Sequence, residues 1–278
     1  MNNNKLIRIS SITKKLFVGL LGAFLLVFLL FHASANLFIL AKDGGDAYSA
    51  FCHFMGSNVI VKVFEVVLLG AFVLHIGLAT YLWFSNRGKR PVRYHERSKS
   101  KTAKGSKLMM ITGSLLLVCL VFHFYDFYFV KLNFVQGTYM AKTQDFMVTP
   151  ETEISEEAQM ILMEAIDQQK VSKDMQWIRQ VSAEEKAVLE ASFPQAEFEP
   201  DFYAMARQKF SVWHIVVGYL VFFALVGIHI RHGFESAFQT FGLNHYKYSK
   251  LIEVLGKVYC WVVCVCFSIV PLGVYFGL

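Results

Sequence analysis

The sequence predicts an all-α, polytopic membrane protein with five transmembrane helices and a helical extracytoplasmic insert between the third and the fourth. Three observations predict it. Charged residues make up 17% of the chain and hydrophobic ones 55%, whereas soluble domains carry about 25% charge. Five stretches are apolar for long enough to cross a hydrocarbon core of about 30 Å, which takes about 20 residues of helix. Residues 131–210, between the third and fourth stretches, are polar by contrast, with fourteen acidic and eight basic residues. The whole chain, 1–278, reads as a single membrane domain.

The first span, about Leu16–Leu40, follows Lys5, Arg8, Lys14 and Lys15. Ala33-Ser34-Ala35 has the form of a leader cleavage site. The apolar run resumes through Leu37-Phe38-Ile39-Leu40, so an uncleaved span is expected. The second span, about Val59–Phe84, comes after a short loop, 41–58. The third, about Lys107–Val130, comes after residues 85–107, where nine Lys and Arg oppose only Glu96. The fourth and fifth are about Ser211–Phe234 and Leu251–Phe276. Lipid offers no partner to backbone N–H and C=O groups, so each span must be a helix. The basic segments mark the cytoplasmic side, which puts the N-terminus in the cytoplasm and the C-terminus outside.

Two helices are expected in the insert. Ser155–Lys170 opens with Ser-Glu-Glu and sets Ala158, Ile161, Leu162, Ala165 and Ile166 on one face. Ser182–Ala191 opens with Ser-Ala-Glu-Glu, the pattern of a capping box. The chain has no nucleotide-binding glycine motif and no solenoid repeat, and no nucleic-acid partner is expected. Its five cysteines form no CxxC or CxxCH, which argues against covalent haem attachment. Cys260, Cys264 and Cys266 read as small residues of the last span.

The nine histidines divide sharply. His53, His95 and His245 fall in loops, and His214 and His232 stand at the two ends of span four. His32, His75, His123 and His229 lie one in each of the first four spans. At about 1.5 Å per residue, His32 and His123 sit toward the outer end of outward-running helices. His75 and His229 sit toward the inner end of inward-running ones. Ionisable side chains in lipid are costly and usually functional. Two levels with two imidazoles each suit two bis-histidine haems in a bundle of the first four helices. Iron held by nitrogen on both faces has no open position for oxygen chemistry, so such a site transfers electrons. Gly22 and Gly113, ten residues before His32 and His123, Gly218 before His229, and Gly70 and Gly77 beside His75 fit close backbone approach to a porphyrin.

Phe31-His32-Ala33-Ser34-Ala35-Asn36, Leu74-His75-Ile76-Gly77, Phe122-His123-Phe124 and Ile228-His229-Ile230-Arg231-His232-Gly233, with Ser236 and Gln239-Thr240-Phe241-Gly242, resemble the dihaem cytochrome b subunit of succinate:quinone oxidoreductases, the succinate dehydrogenases and fumarate reductases. The start Ser10-Ser11-Ile12-Thr13-Lys14-Lys15 fits too. The resemblance covers all but the 131–210 insert. It implies a membrane-anchor subunit of the bacterial cytoplasmic membrane with two haem b groups, His32 and His123 ligating the distal, low-potential one and His75 and His229 the proximal one. His229 is preferred to His232, which lies one turn on. It also implies a cytoplasmic flavoprotein subunit and an iron–sulfur subunit as partners, electron transfer to or from a quinone, usually menaquinone, and no dicarboxylate chemistry in this chain. The 85–107 loop, with the segments around His95 and His245, would be the docking face.

Quinone candidates under the same resemblance are Glu65, Asp126 and His53. Some fumarate reductases of this kind carry a Glu two residues before the fourth ligand, and here Gly227 stands there. Two other readings compete. One is the cytochrome b subunit of a membrane hydrogenase or formate dehydrogenase, and the other is a haem-free membrane scaffold or transporter.

Overall fold

In the computed structural model the described residues are 10–88, 101–147, 154–243 and 245–278. Helix α1 runs Ser11–Asn36 and continues as a 3₁₀ turn, Leu37–Leu40. Helix α2, Asp46–Ser57, occupies the segment expected to be loop. Its start is set by Gly45, whose φ of 94° suits glycine. A Cβ there would stand 2.5 Å from the Tyr203 ring, so both backbone conformation and space exclude other residues. Helix α3 is Val59–Gly88 and α4 is Lys101–His123. A π-helical turn, Phe124–Tyr128, follows α4 and leads into α5, Phe129–Lys131.

Among the described residues five helical stretches are long and apolar enough to cross a membrane: Ile12–Leu40, Val59–Asn86, Leu108–Lys131, Trp213–Thr240 and Ser249–Phe276. They reproduce the expected spans to within a few residues. In the first three, only 6% of the most apolar window is buried. Their hydrophobic side chains point outward, as they must where lipid is the solvent. The chain is thus a multi-pass membrane protein by its helices.

The insert is helical at both expected places. Helix α6 is Glu156–Asp167, capped by the Ser155 hydroxyl, which accepts from Ala158 N–H. Helix α7 is Ala183–Ser192, and Ser182 and Glu185 close the capping box reciprocally. Ala158 and Ala165 are buried, with Ile161 and Leu162 packed against the same core, but Ile166 is exposed. It follows Ala165 by one residue, about 100° round the helix, and so leaves the buried stripe.

The insert also holds a three-stranded antiparallel sheet that the periodicity does not announce. Its strands are β1, Tyr139–Lys142, β2, Trp177–Val181, and β3, Phe198–Pro200, ordered β2-β1-β3. They are three to five residues long, too short for a legible alternation. Tyr139 pairs with Val181 and Ala141 with Ile178, so β2 carries one residue more than β1 across this stretch. That bulge falls at Arg179 and Gln180. Gln180 adopts φ 58° and is the one exposed residue of an otherwise buried strand. A bulge re-aims side chains; here it turns Arg179 inward and Gln180 outward. Helix α8, Phe202–Phe210, then leads to α9, Trp213–Thr240, and α10, Ser249–Phe276, ends the chain.

The fold divides into two compact units. The first gathers the chain up to Ala35, Val59–Val118 and Leu220–Ser268; the second gathers Asn36–Asn58, Cys119–Tyr219 and Ile269–Leu278. In the first, the Tyr259 hydroxyl of α10 donates to the Leu26 carbonyl at 2.6 Å. The Cys260 thiol donates to the Gly227 carbonyl at 3.3 Å, and a Cβ at Gly227 would meet the Cys264 sulfur at 2.7 Å. Cys260 and Cys264 are therefore contact residues between α9 and α10, and Gly227 is where the two helices come closest to them.

In the second unit, Val130, Ile178, Leu189, Phe193 and Met205 form the centre of the insert's core. Cys52 of α2 lies beside Tyr48, and burial pushes its thiol from the ordinary 9.0 up to about 12. The folded state therefore keeps a proton that the unfolded chain loses near pH 9. The stability carried by the buried thiol is complete below that pH and is lost as pH rises toward 12. Maleimide labelling at neutral pH is expected to leave Cys52 unmodified until the protein is denatured; rapid labelling of the folded protein there would contradict its burial.

Candidate functional site

His75 of α3 and His229 of α9 both belong to the first unit, and they lie within electrostatic range of one another. Each ring packs on a glycine of an adjoining helix. A Cβ at Gly22 of α1 would stand 3.3 Å from His75 Cε1 and 3.7 Å from its Nδ1. A Cβ at Gly113 of α4 would stand 3.3 Å from His229 Cε1 and 3.8 Å from its Nδ1. The two contacts are near copies of each other. In both, the Cε1–Nδ1 edge lies on a bare helix backbone, so a Cβ at either glycine would have to displace the ring.

Sequence spacing attaches Gly22 and Gly113 to His32 and His123 on their own helices. The structure gives them instead to the histidines of neighbouring helices. Gly70, Gly77 and Gly218 have open space where a Cβ would be.

Thr112 is the residue that sequence reasoning misses. It is 3% exposed, and its hydroxyl donates to the Leu108 carbonyl at 2.9 Å. The hydroxyl proton is thereby committed, so Thr112 Oγ1 accepts from His229 Nδ1–H at 3.1 Å. In that arrangement the Nε2 lone pair is left for a metal, the usual outer-shell device of a ligating histidine. A Thr one residue before a glycine has no signal of its own in a sequence; the helix neighbour supplies its meaning. His75 Nδ1 is buried without a hydrogen-bond partner, and the Val18 carbonyl of α1 lies near the ring. His232 is half-buried and within electrostatic range of His229.

A haem ligated at these positions fits what surrounds them. The donors are imidazoles on two helices of one unit, backbone approach is close at both rings, and one ring has a buried hydroxyl at its Nδ1. Among the described residues no group of three or more His, Cys, Asp or Glu gathers at one point; a bis-imidazole site needs two.

His32 also belongs to the first unit. Its ring stacks on Phe28 at 5.4 Å and meets Phe267 at 5.7 Å. His123 belongs to the second unit. It closes α4 immediately before the π-helical turn, a distortion frequent at functional sites. Its ring lies 5.4 Å from Phe127 and 6.2 Å, edge-on, from Tyr219.

Of the quinone candidates, Asp126 sits in that π-helical turn. Its carboxylate accepts from Lys209 Nζ at 2.6 Å and from the Tyr219 hydroxyl at 3.2 Å. The acid, the lysine and the phenol beside His123 thus form one polar network. His53 pairs with Glu199 at 2.9 Å and stands edge-on to Trp177 at 4.8 Å. Asp126 and His53 therefore each have partners of their own within the second unit. Glu65 is half-buried on α3 in the first unit. His95 and most of the basic loop lie outside the described residues.

Replacing Thr112 by valine keeps the shape and removes the acceptor. About a 10- to 100-fold loss of cofactor affinity is expected, the size found for outer-shell partners of ligating histidines, with Thr112→Ser close to wild type. Haem titration of the apoprotein measures it, and equal affinity for the valine and serine variants would deny Thr112 that role.

Compared with known proteins, the chain matches no family model, no curated protein and no solved structure.

Proposed function

We propose that this protein is a membrane-anchoring cytochrome b that carries electrons across the bilayer between a cytoplasmic flavoprotein/iron–sulfur dicarboxylate dehydrogenase and membrane quinone. The observation that carries the reading is the matched setting of His75 and His229. Each is seated on a glycine of an adjoining helix, and His229 Nδ1 lies 3.1 Å from the buried Thr112 hydroxyl. A lone buried histidine that only filled a gap would need neither feature.

Two haem b groups, when bound, supply one-electron carriers at two levels of the membrane. His75 and His229 would hold one, and the resemblance in sequence gives His32 and His123 to the other. The chain's own work would be to present imidazole nitrogens to the group and to surround it with apolar and aromatic side chains that exclude water. At the second level, Asp126, Lys209 and Tyr219 offer groups that can exchange protons with a quinone. The neutral or negative partner expected at the basic loop would be the soluble dehydrogenase.

The test is a reduced-minus-oxidised spectrum of the purified protein. Two b-type components are expected, and a protein with no visible absorption would sink the reading in favour of a scaffold or transporter. Co-purification with a flavoprotein on the cytoplasmic side separates this function from that of a hydrogenase or formate dehydrogenase subunit.

A further inference from the structure

The second unit contains a cavity of about 800 Å³ whose lining has two cationic side chains and no carboxylate side chain. Lys42 and Arg207 line it, with Gln180 and Gln208 as neutral donors and Ile39 and Leu278 as apolar wall. The acids nearest in sequence are already occupied. Asp43 accepts from the backbone N–H groups of Gly45 and Ala47, both at 2.8 Å. Asp46 accepts from Lys173 N–H and pairs with Arg179. Asp201, fully buried, accepts from Gln180 N–H and Ala204 N–H and pairs with Arg179.

The carboxylates of Asp43, Asp46 and Asp201 thus have partners away from Lys42 and Arg207. Among the described residues Lys42 and Arg207 have no ion pair. Arg207 instead lies 5.7 Å over the Tyr203 ring, which fixes the guanidinium without cancelling its charge. The bulge in β2 contributes as well, since it turns Gln180 to this cavity while its strand neighbours are buried.

The place of the cavity in the chain says what fills it. Ile39 belongs to the last turn of the first span, Arg207 and Gln208 come just before the fourth, and Leu278 follows the fifth. In a chain of five spans these three ends lie on one face of the membrane, the face that carries the 131–210 insert. The cavity therefore joins apolar span ends to two cations that have no ion pair among the described residues, at the level of the headgroups. Basic pockets beside membrane helices bind anionic lipid in this way, and the volume is that of a site for a small ligand.

We infer that this cavity holds an anionic phospholipid, its phosphate against Lys42 and Arg207 and the start of its acyl chains against Ile39 and Leu278. The site is independent of any haem and of the electron-transfer reading.

The experiment is native mass spectrometry of the full-length protein in detergent, titrated with phosphatidylglycerol or phosphatidylcholine. Phosphatidylglycerol is expected to bind in preference, and the double variant K42Q/R207Q to bind it about 30-fold more weakly, the effect of removing two headgroup contacts. K42R/R207K should retain it, and Lys173→Gln, the loss of a positive charge outside the cavity, should leave it unaltered. Equal binding of the two lipids, or unchanged phosphatidylglycerol binding by K42Q/R207Q, overturns the inference. Displacement of the lipid by millimolar inorganic phosphate does so too, since it would assign the cations to a soluble anion.

Discussion

Replacing His229 with alanine is expected to remove one of the two proposed haems and leave the other in place, and replacing His75 should do the same. The two substitutions together should remove no more than either alone. Both imidazoles would clasp one iron, so losing either opens an axial position and the second loss finds nothing left to release. His32→Ala combined with His229→Ala should by contrast empty both sites.

Haem per polypeptide, measured by pyridine haemochrome, decides this directly. A double His75/His229 variant with no haem would mean that these histidines serve different sites, and the matched packing on Gly22 and Gly113 would need another explanation. His232→Ala should keep the full complement, because it is His229 that has the Thr112 hydrogen bond. Loss of a haem on His232→Ala, with His229→Ala normal, would transfer the ligand assignment one turn along α9.

The second large effect concerns the insert. Asp201 is 0% exposed and caps α8. It also accepts from the bulged Gln180 N–H and pairs with Arg179, itself 5% exposed. Asp201→Ala leaves the buried guanidinium with only the Gly44 carbonyl and Asp46 as partners and two backbone donors without an acceptor. Breaking a buried pair in this way costs about 3–5 kcal/mol. The loss should be local: β2, the bulge and the start of α8 should become accessible to protease while the spans stay folded. Limited proteolysis of wild type and variant in detergent reads it out. Resistance of the 131–210 segment equal to wild type would show that the network contributes little. Asp201→Asn, which keeps the cap and part of the hydrogen bonding, should fall between the two.

The five spans were legible because lipid imposes a length and a polarity that few other sequences meet, and their bounds shifted by only a few residues. The caps at Ser155 and Ser182 were legible because capping is local chemistry within four residues. The strands were not, because a four-residue strand such as Tyr139–Lys142 gains its meaning only from partners some forty to sixty residues away. Helix α2 was hidden for the opposite reason: at twelve residues between two long spans it reads as loop, and its start depends on a left-handed Gly45 fitted against the Tyr203 ring.

By itself, then, the sequence determined the solvent of this protein, the number of its membrane helices and the four intramembrane histidines. Those follow from hydropathy and spacing, which are sums over neighbours in the chain. Only the tertiary structure decided which glycine lies against which imidazole, that Thr112 meets His229, that Asp126 is shared by Lys209 and Tyr219, and that Arg179, not Lys42 or Arg207, pairs with Asp46 and Asp201. Each is a contact between distant segments, set by how helices and strands pack, and packing is a property of pairs of surfaces that no single stretch of residues contains.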